Sequence, residues 1–353
     1  MKTKSIKAFI FSFLFTLSFP GYGQDLAVVK SDKPQPPLFS KEAPLSIKLK
    51  YSNKQLKKET NDSTYLASMI WYKEENNWDS ISVKLRARGN FRRKTCYFAP
   101  LKLKFSNSRI EGTPFEGNRK LKLVLPCLLD RNTSDYVLRE YLAYKLYEIL
   151  APYHFKTRLT EISLVEAKGR REVSHSVLGF LIEDMDYLTL RYEGQEIKRL
   201  IHPLQHDPIS SIQNSFFQFM IANTDYSTKQ QHNQKLLFAN NKIIPVPYDF
   251  DMSGLVNAPY AAVTNIQNLS GSISMVTDRI YKGYEREEAH LEMVRQACLA
   301  KKPEMLNEIG ELKERFQDPG QYKEASDFIT SFFDILEDDK KFAKQILGRL
   351  RTR

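Results

Sequence analysis

Apolar and polar residues alternate through much of the first half of the chain. Ser46-Ile47-Lys48-Leu49-Lys50-Tyr51 puts its apolar side chains on one face, and Ile81-Ser82-Val83-Lys84-Leu85-Arg86-Ala87-Arg88 repeats the pattern until Gly89-Asn90 breaks it. Leu101-Lys102-Leu103-Lys104-Phe105 and Leu121-Lys122-Leu123-Val124-Leu125 continue the period of two. Most of the polar positions are lysine or arginine, so the pattern predicts antiparallel sheet with one wet, basic face. A helix over residues 135–150, capped by Thr133 or Ser134, interrupts the strands, with Tyr136, Leu138, Leu142, Leu146 and Ile149 near helical spacing. Glu161-Ile162-Ser163-Leu164-Val165 and Val177-Leu178-Gly179-Phe180-Leu181-Ile182, which ends at Glu183-Asp184, resume the strand pattern. Strands, a helix, then strands again predict the α+β class.

After about residue 200 the character turns helical. Residues 209–222 are apolar on most sides (Ile212, Phe216, Phe217, Phe219, Met220, Ile221), which predicts a buried core helix. A polar loop over 223–233 leads into Lys235-Leu236-Leu237-Phe238-Ala239, then Asn240-Asn241, then Lys242-Ile243-Ile244-Pro245-Val246-Pro247. Two short apolar strands around Asn-Asn predict a hairpin, because asparagine tolerates the positive φ of a tight turn. The tail, over 285–300, 303–316 and 322–347, reads as amphipathic helices.

Lys2, Lys4 and Lys7 precede a largely apolar run over 8–19, then Pro20 and the small-residue site Gly21-Tyr22-Gly23. This predicts a secretory signal peptide over 1–23, an exported chain (periplasmic or extracellular) beginning at Gln24, and a remainder of 353 − 23 = 330 residues. The apolar run falls short of the roughly 18 to 20 residues a membrane span needs. No later segment is apolar enough to cross one, so no membrane span is expected after the signal is removed. Residues 24–45 are polar and proline-dotted and read as an extended lead-in. The formal charge is +11, from 53 Lys+Arg against 42 Asp+Glu, and much of it lies between Lys84 and Lys122. Such a stretch suits phosphate-bearing ligands, and no nucleic-acid-binding motif accompanies it. Cys96, Cys127 and Cys298 lack CxxC spacing, so neither a zinc cluster nor a disulfide framework is written here; an oxidising compartment allows one bridge with one thiol left over, and buried free thiols are the expectation. No Gly-x-Ser-x-Gly elbow is present, and Pro203 spoils a shared helical face for His202 and His206.

Candidate chemistry concentrates in Asn223-Thr224-Asp225, His232-Asn233 and Tyr248-Asp249-Phe250-Asp251 with Gly254. The hairpin carries the chain out about 20 Å, at about 3.3 Å per residue, and back, so Asn233 and Asp249 should lie side by side with Asp225 at the loop mouth. Oxygen ligands of this kind suit Mg²⁺, and the set matches what phosphoryl transfer needs.

These segments resemble the CotH-type (spore coat protein H) atypical protein kinases, with their Asn-x-Asp loop, His-Asn pair, hairpin and Pro-(Trp/Tyr)-Asp-Phe-Asp segment. Arg88-Gly89-Asn90, Leu138-Arg139 and Gly179-Phe180-Leu181-Ile182-Glu183 add to the likeness, which spans about residues 80–255. The resemblance implies a two-lobed atypical protein-kinase-like α+β fold, with a mainly antiparallel sheet in an N-terminal lobe (46–190) and helices in a C-terminal lobe (191–353). It implies a secreted kinase that uses ATP and Mg²⁺ on a hydroxyl acceptor, with protein as the acceptor class. Asp225 would be the catalytic aspartate, and Asn233, Asp249 and Asp251 the metal ligands. His232 would order the loop. Lys102 or Lys104 would meet the nucleotide phosphates with Glu140 as helix partner, Arg88 would supply a guanidinium fork, and Glu183 would end the glycine-led strand beside the nucleotide. Two other classes compete: a kinase-shaped binding or surface-assembly protein without turnover, and a metal-dependent phosphodiesterase or glycosidase using the same carboxylates.

Overall fold

The computed structural model describes residues 36–263 and 273–352, so the signal-peptide expectation and most of the lead-in lie outside the described residues. The first half is built from β1 (Leu45–Tyr51), α1 (Asn53–Glu59), β2 (Leu66–Glu74), β3 (Asn77–Ala87), α2 (Phe91–Thr95), β4 (Leu101–Lys104), α3 (Asn107–Ile110), β5 (Lys120–Val124), α4 (Thr133–Leu150), β6 (Thr157–Lys168) and β7 (Arg171–Glu183). The second half comprises α5 (Met185–Arg191), β8 (Gln195–Ile197), α6 (Pro208–Met220), β9 (Gln234–Ala239), β10 (Lys242–Pro247), α7 (Glu288–Ala300), α8 (Lys302–Glu311), α9 (Pro319–Glu337) and α10 (Asp339–Gln345).

The seven strands of the first half close into a barrel in the order β1-β2-β3-β4-β5-β7-β6. This overturns the expected two-lobed kinase-like fold with a mainly antiparallel sheet lobe and a helical lobe. The sheet is mixed, because its closing pair, β1 with β6, runs parallel from Leu45↔Thr160 to Tyr51↔Glu166. Closure pairs β1 with β6, the two strands that an open sheet would leave as edges. Alternation then sorts the side chains: Ile47 and Leu49, Val83 and Leu85, Leu101 and Leu103, Leu121 and Leu123, Ile162 and Leu164 and Leu181 share one buried core. The intervening lysines and arginines of β3, β4 and β5 face outward, as the wet face required. Gly179 belongs where it is because a Cβ there would stand 2.6 Å from both the Val124 carbonyl and Ile162 Cδ1.

The end of the lead-in is packed rather than extended: Leu38 and Phe39 are buried in the barrel core, and the Arg158 guanidinium donates to the carbonyls of Leu38 and Ala43 at 3.0 and 3.1 Å. Helix α4 covers the outer face of β7, where Tyr141 and Tyr144 meet Phe180 edge-on at 5.7 and 5.5 Å. It begins two residues earlier than expected, at Thr133. Asn132, at φ 64°, precedes the first residue Thr133, with no side-chain cap, and the Asp135 carboxylate instead accepts from the amides of Gln317 and Asp318. The predicted core helix is α6, its N-cap Asp207 accepting from the Ser210 amide at 2.9 Å. The predicted hairpin is β9–β10, with Lys242 opposite Ala239 and Asn240 and Asn241 at φ 50° and 58°. Helices α7 to α10 form the tail, and among the described residues no helix is long and apolar enough to cross a membrane.

Cys96 and Cys127 are joined in a disulfide, contrary to the expectation of free thiols, while Cys298 is free and buried in α7. Their strands of origin are far apart in sequence but neighbours in the barrel: Cys96 follows α2 before β4, and Cys127 follows β5, the partner of β4. The Tyr97 amide donates to the Cys127 carbonyl at 2.7 Å beside the bridge.

Closing a loop of this sequence separation, 31 residues, the bridge should contribute about 2–4 kcal/mol. Urea unfolding of the Cys96→Ser/Cys127→Ser double variant should show a loss of that size, with a steeper slope because the unfolded chain is no longer cross-linked. An unmoved midpoint would mean that β4–β5 pairing alone sets the geometry.

Candidate functional site

The site begins with a polar network beneath the loop that follows α6. Within the buried layer Asn214 donates to Gln234 Oε1 at 2.8 Å, Gln218 donates to Asn214 Oδ1 at 3.4 Å, and Asn223 donates to Gln218 Oε1 at 2.8 Å. Asn223 Oδ1 in turn accepts from the Asp225 amide at 2.9 Å. This explains an asparagine two residues before an aspartate: the first side chain folds the loop, leaving the second free to face outward. From behind, the buried Lys282 ammonium donates to the carbonyls of Thr224 and Tyr226 at 2.9 Å each, clasping both neighbours of Asp225.

The hairpin delivers Asn233 and Asp249 together, as expected. Gln234 pairs with Pro247, and the Tyr248 amide donates to the Asn233 carbonyl at 3.1 Å. Asn233 Nδ2 donates to the Asp225 carbonyl at 2.7 Å and to Asp225 Oδ2 at 3.0 Å, and His232 Nε2 lies 3.5 Å from Asp225 Oδ1. The hydrogen bond to the Asp225 carboxylate raises the His232 imidazole above its ordinary value. Gln231, Asn233 and Asp249 all hold left-handed backbone, at φ 53°, 52° and 66°. Non-glycine residues persist there only where neighbours fix them, and the Asp249 amide is fixed by Tyr144 Oη at 2.9 Å. Phe250 is fully buried against the rings of Tyr144 and Phe217, at 4.6 and 5.1 Å, so the aspartates on either side of it are turned the other way.

Both turn toward Arg92, the residue that sequence reasoning missed. Arg92 Nη1 and Nη2 meet Glu140 Oε2 and Oε1 at 3.1 and 3.2 Å, Nη2 also donates to Asp249 Oδ1, and Nε lies 3.0 Å from Asp251 Oδ2. Arg88 Nη2 stands 3.7 Å from Asp249 Oδ2. Burial alone would raise the Asp249 carboxyl, but Arg92 and Arg88 outweigh it and hold it at about 2. Asp251 goes the other way: burial pushes it well above the carboxylate range, and the carboxylates of Asp249, Glu140 and Asp225 add to this against Arg92. Arg88, Arg92, Asp225, His232, Asn233, Asp249 and Asp251 line one open cleft of about 630 Å³, with Phe91, Tyr248 and Met252 supplying its apolar wall.

The other expected site residues are placed differently. Glu140 pairs with Arg92 and with no strand lysine. Lys102 reaches Asp184 at 3.1 Å. Lys104, on the same outward face but one step farther along β4, lies over the Tyr65 ring at 5.8 Å and away from the cleft. Glu183 is fully buried, held by Arg191 at 2.7 Å and by the Lys156 amide at 2.9 Å, so it serves the fold. Lys122 lies over the rings of the cleft residue Tyr248 and of Phe155, at 4.7 and 5.0 Å. Burial first, and the Arg88 cation next, bring its ammonium down to about 7 against the pull of Asp184 and Asp249. The signal that could have found Arg92 was the run of basic residues directly after Arg88-Gly89-Asn90.

The expected ligands Asp249 and Asp251 thus already share a guanidinium, and Asn233 directs its amide nitrogen at Asp225. Among the described residues no group of three or more His, Cys, Asp or Glu side chains is arranged to hold a metal ion. As they stand, these side chains do not fit a resident cation. No protein-family model matches this chain, and no curated protein does.

Removing Arg92 would strand Glu140 and Asp251 in the interior without a counter-charge. Arg92→Ala should therefore cost about 3–5 kcal/mol in urea unfolding. A loss under about 1 kcal/mol, the range of exposed pairs, would show that water already screens the cluster.

Proposed function

We propose that the cleft binds a nucleoside triphosphate, ATP, as its magnesium complex and transfers the terminal phosphoryl group to a hydroxyl, with protein as the acceptor class. The observation that carries the reading is the convergence of Asp225, Asn233 and Asp249 with two arginines, Arg88 and Arg92, on one open cleft. Phosphoryl transfer requires little covalent chemistry from a protein; it needs positioning and charge. The acceptor oxygen would attack the terminal phosphorus as its bond to the bridging oxygen breaks. Asp225 would take the acceptor's proton, and ADP would leave. Asp225 suits that task because Asn223, Asn233 and Lys282 fix its backbone and side chain while its carboxylate faces the cleft. The guanidinium fork of Arg88 matches phosphate oxygens in shape and charge, and Lys122 lies beside it over the ring of the cleft residue Tyr248. The resemblance of these segments to CotH-type kinases supports the same assignment. The Cys96–Cys127 disulfide supports the accompanying proposal of export, since such bridges persist in oxidising compartments.

A second reading, a binding or surface-assembly protein without turnover, is favoured by one observation: Arg92 already engages both Asp249 and Asp251.

Incubating the protein with γ-labelled ATP and Mg²⁺ separates the two, with label on itself or on a co-exported protein expected for a transferase. Asp225→Asn should keep nucleotide affinity within about threefold and lose transfer by a hundredfold or more, the scale of a missing general base. Asp249→Ala should weaken binding as well. No transfer together with no metal-dependent affinity for ATP would sink the transferase and leave the binding or surface-assembly reading.

A further inference from the structure

We infer that the Arg92 guanidinium is a built-in cation occupying the space between Glu140, Asp249 and Asp251, so that a free divalent ion binds these carboxylates only when Arg92 is removed. Each of its three nitrogens is already committed to a carboxylate, and Glu140 is gripped through both oxygens. A divalent ion would need the same oxygens at about 2.0–2.6 Å, inside the volume the guanidinium fills.

Nor can Arg92 readily swing aside. Its helix, α2, is only five residues long and is held at its middle and at its C-terminal end. The Cys96 amide donates to the Arg92 carbonyl at 2.9 Å, and Cys96 is tied to Cys127. The neighbouring Arg93 donates to the Lys57 carbonyl at 2.7 Å and to the Thr60 carbonyl, fastening α2 to the end of α1. The Arg92 side chain itself is only 7% exposed. Glu140, in the middle of α4, and Asp251, beside the buried Phe250, are equally fixed. Three carboxylates are thus preorganised around one position whose occupant is a side chain. Hard oxygen donors in that number suit Mg²⁺, Mn²⁺ or Ca²⁺ once the position is vacated. The inference concerns ions alone, and it stands or falls independently of phosphoryl transfer.

Manganese, titrated into the purified protein and followed by the loss of its free electron-spin signal, reads the site directly. The wild type should bind it no more tightly than Asp249→Ala does. Arg92→Met, which keeps the apolar stem and removes the charge, should gain a single site at least tenfold tighter. Asp251→Asn placed on that background should weaken the new site again. Tight binding by the wild type that Asp249→Ala abolishes would overturn the inference, as would a folded Arg92→Met with no gain. Should Arg92→Met fold only in manganese buffer, the dependence is itself the expected gain. Should it fold in neither buffer, the comparison of wild type with Asp249→Ala decides alone.

Discussion

A single guanidinium joins the two halves of this molecule. Arg92 comes from the short helix between two barrel strands, Glu140 from the helix that lies on the barrel, and Asp249 and Asp251 from the segment leaving the hairpin. None of the carboxylates could be buried comfortably without it, and their desolvation is tolerable only because the geometry uses all three nitrogens. The same cluster positions the functional surface, since the chain that presents Asp249 to Arg92 also presents Tyr248 and Asn233 to the cleft.

Around that cluster the backbone does much of the arranging. Left-handed residues recur at Gln231, Asn233 and Asp249, and each is braced by a hydrogen bond or a ring from a neighbouring element. Beneath them, the chain of amides from Gln234 through Asn214 and Gln218 to Asn223 couples the start of β9 to the Asp225 loop. The network is not fully satisfied, since Gln234 Nε2 and Thr224 Oγ1 are buried without a hydrogen-bond partner, and such gaps are costly in the interior.

Much of this was readable from the chain. The strands at β1, β3, β4, β5, β6 and β7 showed their alternation, the Asn-Asn hairpin announced its register, and the meeting of Asn233 with Asp249 followed from hairpin geometry alone. Closure of the barrel was not readable. Alternation reports that one face is buried, but an open sheet and a barrel bury that face equally, and the parallel β1–β6 pair joins strands more than a hundred residues apart. Strand β2 hid for a different reason: Met69 and Trp71 on its outer face blur the contrast with Ile70 and Tyr72. The role of Arg92 depended on a five-residue helix whose direction no local pattern sets. The sequence did not single out one lysine, because Lys102, Lys104 and Lys122 occupy equivalent alternating positions on paired strands, where the pattern alone does not separate them.

Cys298 offers an experimental handle of another kind. Burial pushes its thiol up to about 12, and it lies sealed within α7 among the tail helices. With the other two cysteines bonded to each other, it is the chain's lone free thiol, protonated and buried while the tail helices remain packed. The rate at which an alkylating reagent captures it therefore counts openings of that helical layer, giving a clock for local unfolding that needs no added probe.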